Sequence, residues 1–275
     1  MNAPVTFRRA VFPPERGSVS AEAGGCNNAW PKAAVRFGAF RVVTIVARVR
    51  RVQKLEAGIH HFQANYFTSN RGLFERLAEK GQRPETLFIT CCDSRVVPNL
   101  ITTAAPGELF IVRNVGNIVP SAGRGMAGGV SAAIEYAVEV LDVGHVIVCG
   151  HTNCGAIEAI LHPERVGHLR FVSRWLAESS RIPKLIEERY GHLDGEARQT
   201  AAVQENALVQ LENLRSFEFV ARRLEAGTLK MSGWVFKIST GQVFDYDPIS
   251  QQFLELGGGH EGERSLLSSR PPGAR

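Results

Sequence analysis

The chain lacks any long hydrophobic run: nowhere in its 275 residues is there a stretch near the roughly eighteen uninterrupted apolar residues that a membrane-spanning helix needs. Its beginning also lacks the short apolar run and small-residue cleavage site of a secretory signal, so the expected compartment is the cytoplasm. Cysteine is scarce, with Cys26, Cys91, Cys92, Cys149 and Cys154 the whole supply. An odd number in a chain of this length argues against a disulfide-stapled small domain and for metal binding or plain burial. Aromatic residues make up only 8% against 44% hydrophobic overall, which suits one globular domain with extensions. The folded part also lacks excess positive charge. Although the net charge is +5, residues 1–51 hold nine basic and two acidic residues, and residues 257–275 hold three and two, leaving 20 basic against 23 acidic between them. The basicity belongs to the leader, read as a solvated extension, and nucleic-acid binding is not expected.

What is present organises the chain into three parts. Residues 1–50 mix Pro, Gly, Ser and Arg without sustained periodicity and read as a basic, disordered leader. From residue 257, Gly257-Gly258-Gly259 through Pro271-Pro272-Gly273 has the composition of a flexible tail. Between them, residues 51–256 form the folded domain. Leu55, Ile59, Phe62 and Tyr66 fall on one face of a helix, and a second helix is predicted over 72–80, ending at Gly81. Thr86-Leu87-Phe88-Ile89-Thr90 and Leu109-Phe110-Ile111-Val112 read as buried strands. Helical spacing over 126–142 leads into a third, His145-Val146-Ile147-Val148-Cys149. Strand and helix in alternation predict an α/β fold with a central, mostly parallel sheet flanked by helices. Helices dominate from about 155 to 226, and a hairpin signal at Ser239-Thr240-Gly241-Gln242, between Trp234–Ile238 and Val243–Tyr246, adds an antiparallel edge strand.

Two polar clusters follow buried strands directly: Cys91-Cys92-Asp93-Ser94-Arg95 and Gly150-His151-Thr152-Asn153-Cys154-Gly155. Ligands of open parallel sheets gather at such strand C-termini. If the strands are neighbours, Cys91 meets His151 and Cys154 across one crevice; the spacing of the latter two suggests one face of a helical turn. Two thiolates and an imidazole suit Zn2+, and three protein ligands leave a position open for a reacting water. Asp93 reads as a carboxylate orienting that water with Arg95 holding it, as a structural ion pair, or as a fourth zinc ligand that would close the site. Cys92 is expected to point away, Cys149 to lie in the core and Cys26 to be incidental.

Cys91-x-Asp93-Ser94-Arg95 and His151-x-x-Cys154-Gly155 resemble the paired signature of the β-carbonic anhydrases. The resemblance runs from about Leu55 to Tyr246 and takes in Gly107-Glu108-Leu109-Phe110, Arg113-Asn114-Val115-Gly116-Asn117, Glu135-Tyr136-Ala137, Glu205-Asn206 and Gly233-Trp234. It implies a zinc enzyme that interconverts CO2 and bicarbonate by attack of zinc-bound hydroxide, with residues 51–256 as catalytic domain. Cys91, His151 and Cys154 would be the ligands and Asp93 and Arg95 the catalytic pair. Gln82 matches a glutamine that binds substrate, usually in the neighbouring subunit's site, while Phe110, Val115 and Tyr136 match residues lining the CO2 pocket. A homodimer or larger homo-oligomer follows from the same resemblance. Phe88 stands where the bicarbonate-inhibited branch carries tryptophan, which, with Gln82, suggests the branch whose zinc site stays open. Departures from the pattern are Cys92, Gly116 and the basic leader. The rivals are hydrolysis of a linear CO2 analogue such as carbon disulfide, and a non-catalytic zinc protein closed by Asp93.

Overall fold

A computed structural model describes residues 52–122 and 128–257, so the expectations for the leader, Cys26 and the tail beyond residue 257 lie outside the described residues. These residues fall into two units, one up to Ser69 and one from Asn70 onward. The first is helix α1, residues 52–69, which includes a π-helical stretch, Phe62–Phe67. The predicted stripe Leu55, Ile59, Phe62 and Tyr66 is helical, and each of its members is exposed.

The second unit holds a six-stranded sheet in the order β2-β1-β3-β4-β5-β6. Its strands are β1 Thr86–Cys91, β2 Leu109–Asn114, β3 His145–His151, β4 Lys230–Phe236, β5 Val243–Asp247 and β6 Gln252–Glu255. The first four strands are parallel; β5 and β6 run antiparallel at the edge. The α/β fold with a mostly parallel sheet is thus as read from the sequence, with one further antiparallel strand, β6. The helices are α2 Arg71–Lys80, α3 Pro98–Thr102, α4 Gly129–Glu135, α5 Gly155–Leu161, α6 Arg170–Leu176, α7 Ile182–Tyr190, α8 Gly195–Arg215 and α9 Glu218–Glu225. The predicted 126–142 helix is α4 followed by a π-helical Tyr136–Val140.

Alternation along the strands divides the core between two faces. Leu87, Ile89, Val146 and Val148 pack with Ile134, Leu211, Leu214 and Val220 of the helices. Phe88, Ile147, Cys149 and Phe236 form a smaller cluster with Val96 on the other face. A third cluster joins Cys91 and Cys154 to Ile157, Ile160, Ile182, Ile186 and Val203, so helices α5, α7 and α8 wall in the strand ends where both polar motifs lie. No helix among the described residues is long and apolar enough to cross a membrane.

Candidate metal centre

Strands β1 and β3 are parallel neighbours in the register Thr90↔Cys149, so Cys91 and His151, each the last residue of its strand, arrive at the same end of the sheet. Asn153, at φ +55°, turns the chain so that Cys154 returns beside them as the N-cap of α5. This corrects the sequence reading: His151 and Cys154 do not share a helical turn, because a left-handed residue separates a strand end from a helix start. The donor atoms of Cys91, His151 and Cys154 all lie within 4.8 Å of one another, and all three residues are buried.

The residues fit a metal ion. The two sulfurs are 3.9 Å apart, and two thiolates bound tetrahedrally at about 2.3 Å would stand about 3.8 Å apart. His151 Nδ1 lies 3.0 Å from the Thr152 carbonyl oxygen; a carbonyl only accepts, so Nδ1 carries a hydrogen, and in the neutral ring Nε2 is then the lone pair that a metal would take. That Nε2 is buried without a hydrogen-bond partner, a costly state for a polar atom unless it is a ligand. The Cys91 thiol is pushed down, chiefly by the hydrogen bond with Cys154 and further by the backbone N–H groups of Gly116 and Asp93. Cys154 is pushed up by that same contact and by burial. The contact therefore sets the two thiols apart, and both ionise together only opposite a cation.

Asp93 and Arg95 flank the cluster. Arg95 donates from Nε to Asp93 Oδ1 at 2.9 Å and from Nη2 to Oδ2 at 2.7 Å, while its backbone N–H also reaches Oδ1 at 3.0 Å. These bonds hold the Asp93 carboxyl well below the usual carboxylate range. Asp93 Oδ2 is 3.8 Å from His151 Nε2. Arg95 also donates to the carbonyl of Asn153, tying the two motifs together, and Arg113 donates to the carbonyls of Cys91 and Asp93.

The sequence profile of the carbonic anhydrase family matches residues 86–243. A carbonic anhydrase of Synechocystis sp. is 42% identical over 204 residues, covering 74% of each chain. One from Pseudomonas aeruginosa is 45% identical over 201 residues, covering 72% of this chain and 89% of its own. The chain belongs to the β-carbonic anhydrase family. The solved structure of the β-carbonic anhydrase CcaA superposes with a TM-score of 0.73 at 42% identity, covering 75% of this chain and 100% of that one. A tetrameric β-carbonic anhydrase of Sordaria macrospora gives 0.65 at 27% identity, covering 71% and 96%. The chain is accordingly a carbonic anhydrase enzyme, and its cluster is the Cys-His-Cys group of a metalloenzyme.

Other site residues stand differently toward that cluster in this β-carbonic anhydrase. Val115 is exposed, one residue from Gly116, whose N–H lies 3.5 Å from Cys91 Sγ. Gln82 is exposed before the start of β1, at the opposite end of a strand whose six residues span about 17 Å. It lines a groove with Val140, Asp142 and His145. Phe110 pairs with Leu87, four residues short of Cys91 or about 13 Å along the strand, and its ring lies 6.0 Å from that of Tyr136. Within one chain, Gln82, Phe110 and Tyr136 are not brought to the Cys-His-Cys group. Cys92 is exposed, and Cys149 is buried with its thiol pushed up to about 12 by burial. Arg113 and the Gly116 N–H were missed as site groups by residue chemistry. Their string was part of the family signature, but nothing in a backbone N–H distinguishes one residue from another.

Proposed function

We propose that this carbonic anhydrase hydrates CO2 reversibly to bicarbonate and a proton, using Zn2+ held by Cys91, His151 and Cys154. The observation that carries this reading is a buried, unpartnered His151 Nε2 beside two sulfurs 3.9 Å apart. Zinc held by these three residues would supply Lewis acidity, which can bring the pKa of a water down to about 7. Asp93 keeps its charge through the Arg95 fork and accepts a hydrogen bond from the reacting water, orienting its lone pair toward CO2. The fork also supports the open branch: Arg95 engages both carboxylate oxygens and so competes with a metal for Asp93. Phe88 and Gln82 point the same way. Val115, next to the Gly116 N–H that meets Cys91 Sγ, would wall the CO2 pocket beside its own cluster. The distance of Gln82, Phe110 and Tyr136 from that cluster supports their serving the site of a second copy, in a homodimer or larger homo-oligomer with sites at the subunit boundary.

The test is stopped-flow CO2 hydration on metal-quantified protein at about pH 8, where a water so activated is ionised. Zinc-dependent turnover should vanish in Cys154→Ser. Asp93→Asn should keep its zinc and lose on the order of a hundredfold in turnover. Zinc-loaded but inactive wild-type protein would overturn the assigned reaction, and unchanged turnover in Asp93→Asn would overturn the role of that carboxylate.

A further inference from the structure

We propose that Trp175 and Asn206 are positioning residues of the metal centre, holding the two peptide planes on either side of Gly116 so that its N–H stays on Cys91 Sγ. The inference rests on the reading of Cys91 as a metal ligand and deepens it. The peptide plane joining Val115 to Gly116 is gripped at both ends: Trp175 Nε1–H donates to its carbonyl at 2.7 Å, and its N–H reaches Cys91 Sγ at 3.5 Å. A hydrogen bond into the carbonyl polarises the N–H on the far side, so indole, peptide and sulfur form one cooperative chain. The next plane is held by Asn206, whose Nδ2 donates to the Gly116 carbonyl at 3.1 Å.

The orientation of Asn206 is not free. It is completely buried, and its Oδ1 accepts from Gln210 Nε2 at 2.9 Å and from Ser179 Oγ at 3.3 Å, so its amine must face Gly116. Gln210 in turn accepts from the Val119 N–H, and Asn213 donates to the Val119 carbonyl. Asn114 closes the loop from within through the N–H and carbonyl of Ile118. Residues 115–119, just after β2, are thereby clamped from α6 and α8, with Gly116 at φ +82° under Ala156. An N–H donated to a thiolate ligand draws charge from sulfur, which leaves the metal more electrophilic; groups of this kind tune a site without touching the ion.

The experiment uses the full chain loaded with Co2+ in place of Zn2+, comparing wild type with Trp175→Phe, which removes the indole N–H and keeps an aromatic ring. The thiolate-to-cobalt charge-transfer band should move to lower energy, because the sulfur lone pair loses its donor. Zinc should pass to a competing chelator about ten- to a hundredfold more readily. Asn206→Asp, which puts an acceptor against the Gly116 carbonyl, should shift both readouts the same way and replaces Trp175→Phe if that variant does not fold. A lowered melting temperature with band and zinc retention unchanged would reduce both residues to structural roles and overturn the proposal. Absence of any charge-transfer band in the wild type would instead overturn the reading of Cys91 and Cys154 as metal ligands.

Discussion

Cys91 and Cys154 come to a metal in different states. The contact between the two sulfurs lowers the Cys91 thiol and raises that of Cys154, which burial raises further. Both must ionise to hold zinc, so binding should release protons and affinity should rise with pH. Calorimetry in buffers of different ionisation enthalpy counts the released protons; a zinc affinity independent of pH would contradict binding through thiolates. The Cys-His-Cys group could be picked from the sequence because thiols and imidazoles are rare and chemically distinct. Trp175, Gly116 and Asn206 could not, since their contribution is a direction of hydrogen bonding fixed only by packing.

Helix α8 shows why glycine stands at particular points of the sheet. A Cβ on Gly150 of β3 would meet Val203 Cγ1 at 3.0 Å, and one on Gly233 of β4 would meet Leu211 Cδ1 at 3.1 Å. The missing side chains let the helix lie close over the strands. Gly233→Val should therefore overpack this contact and cost about 1–3 kcal/mol, read as a lower denaturation midpoint in urea; a midpoint equal to wild type would mean that α8 moves aside freely. The central strands were legible as apolar runs between turns. β6 was not, because Gln252–Glu255 is short and mostly exposed, and β4 begins at Lys230, ahead of the apolar residues that announced it. The inner face of α8 hides its own burial, since Glu205, Asn206 and Gln210 are polar yet enclosed.

At the scale of the whole molecule, one chain carries the whole Cys-His-Cys group but holds Gln82, Phe110 and Tyr136 away from it. If these serve a second copy, mixing Gln82→Ala chains with Cys154→Ser chains should rebuild some sites, each from an intact cluster and a partner's intact Gln82. For random dimers the recovered activity is about a quarter of wild type; activity no higher than the two variants assayed separately would place Gln82 outside the site. The sequence alone determined the fold class, which follows from periodicity, the thiols and imidazole at the strand ends, and the family, which follows from the paired signature around them. Only tertiary structure decided that Asn153 turns Cys154 back toward His151, that Arg95 occupies both oxygens of Asp93, and that an indole and a buried amide hold a peptide N–H on sulfur. Each of these depends on backbone direction at one residue, which local sequence does not encode and the surrounding packing does.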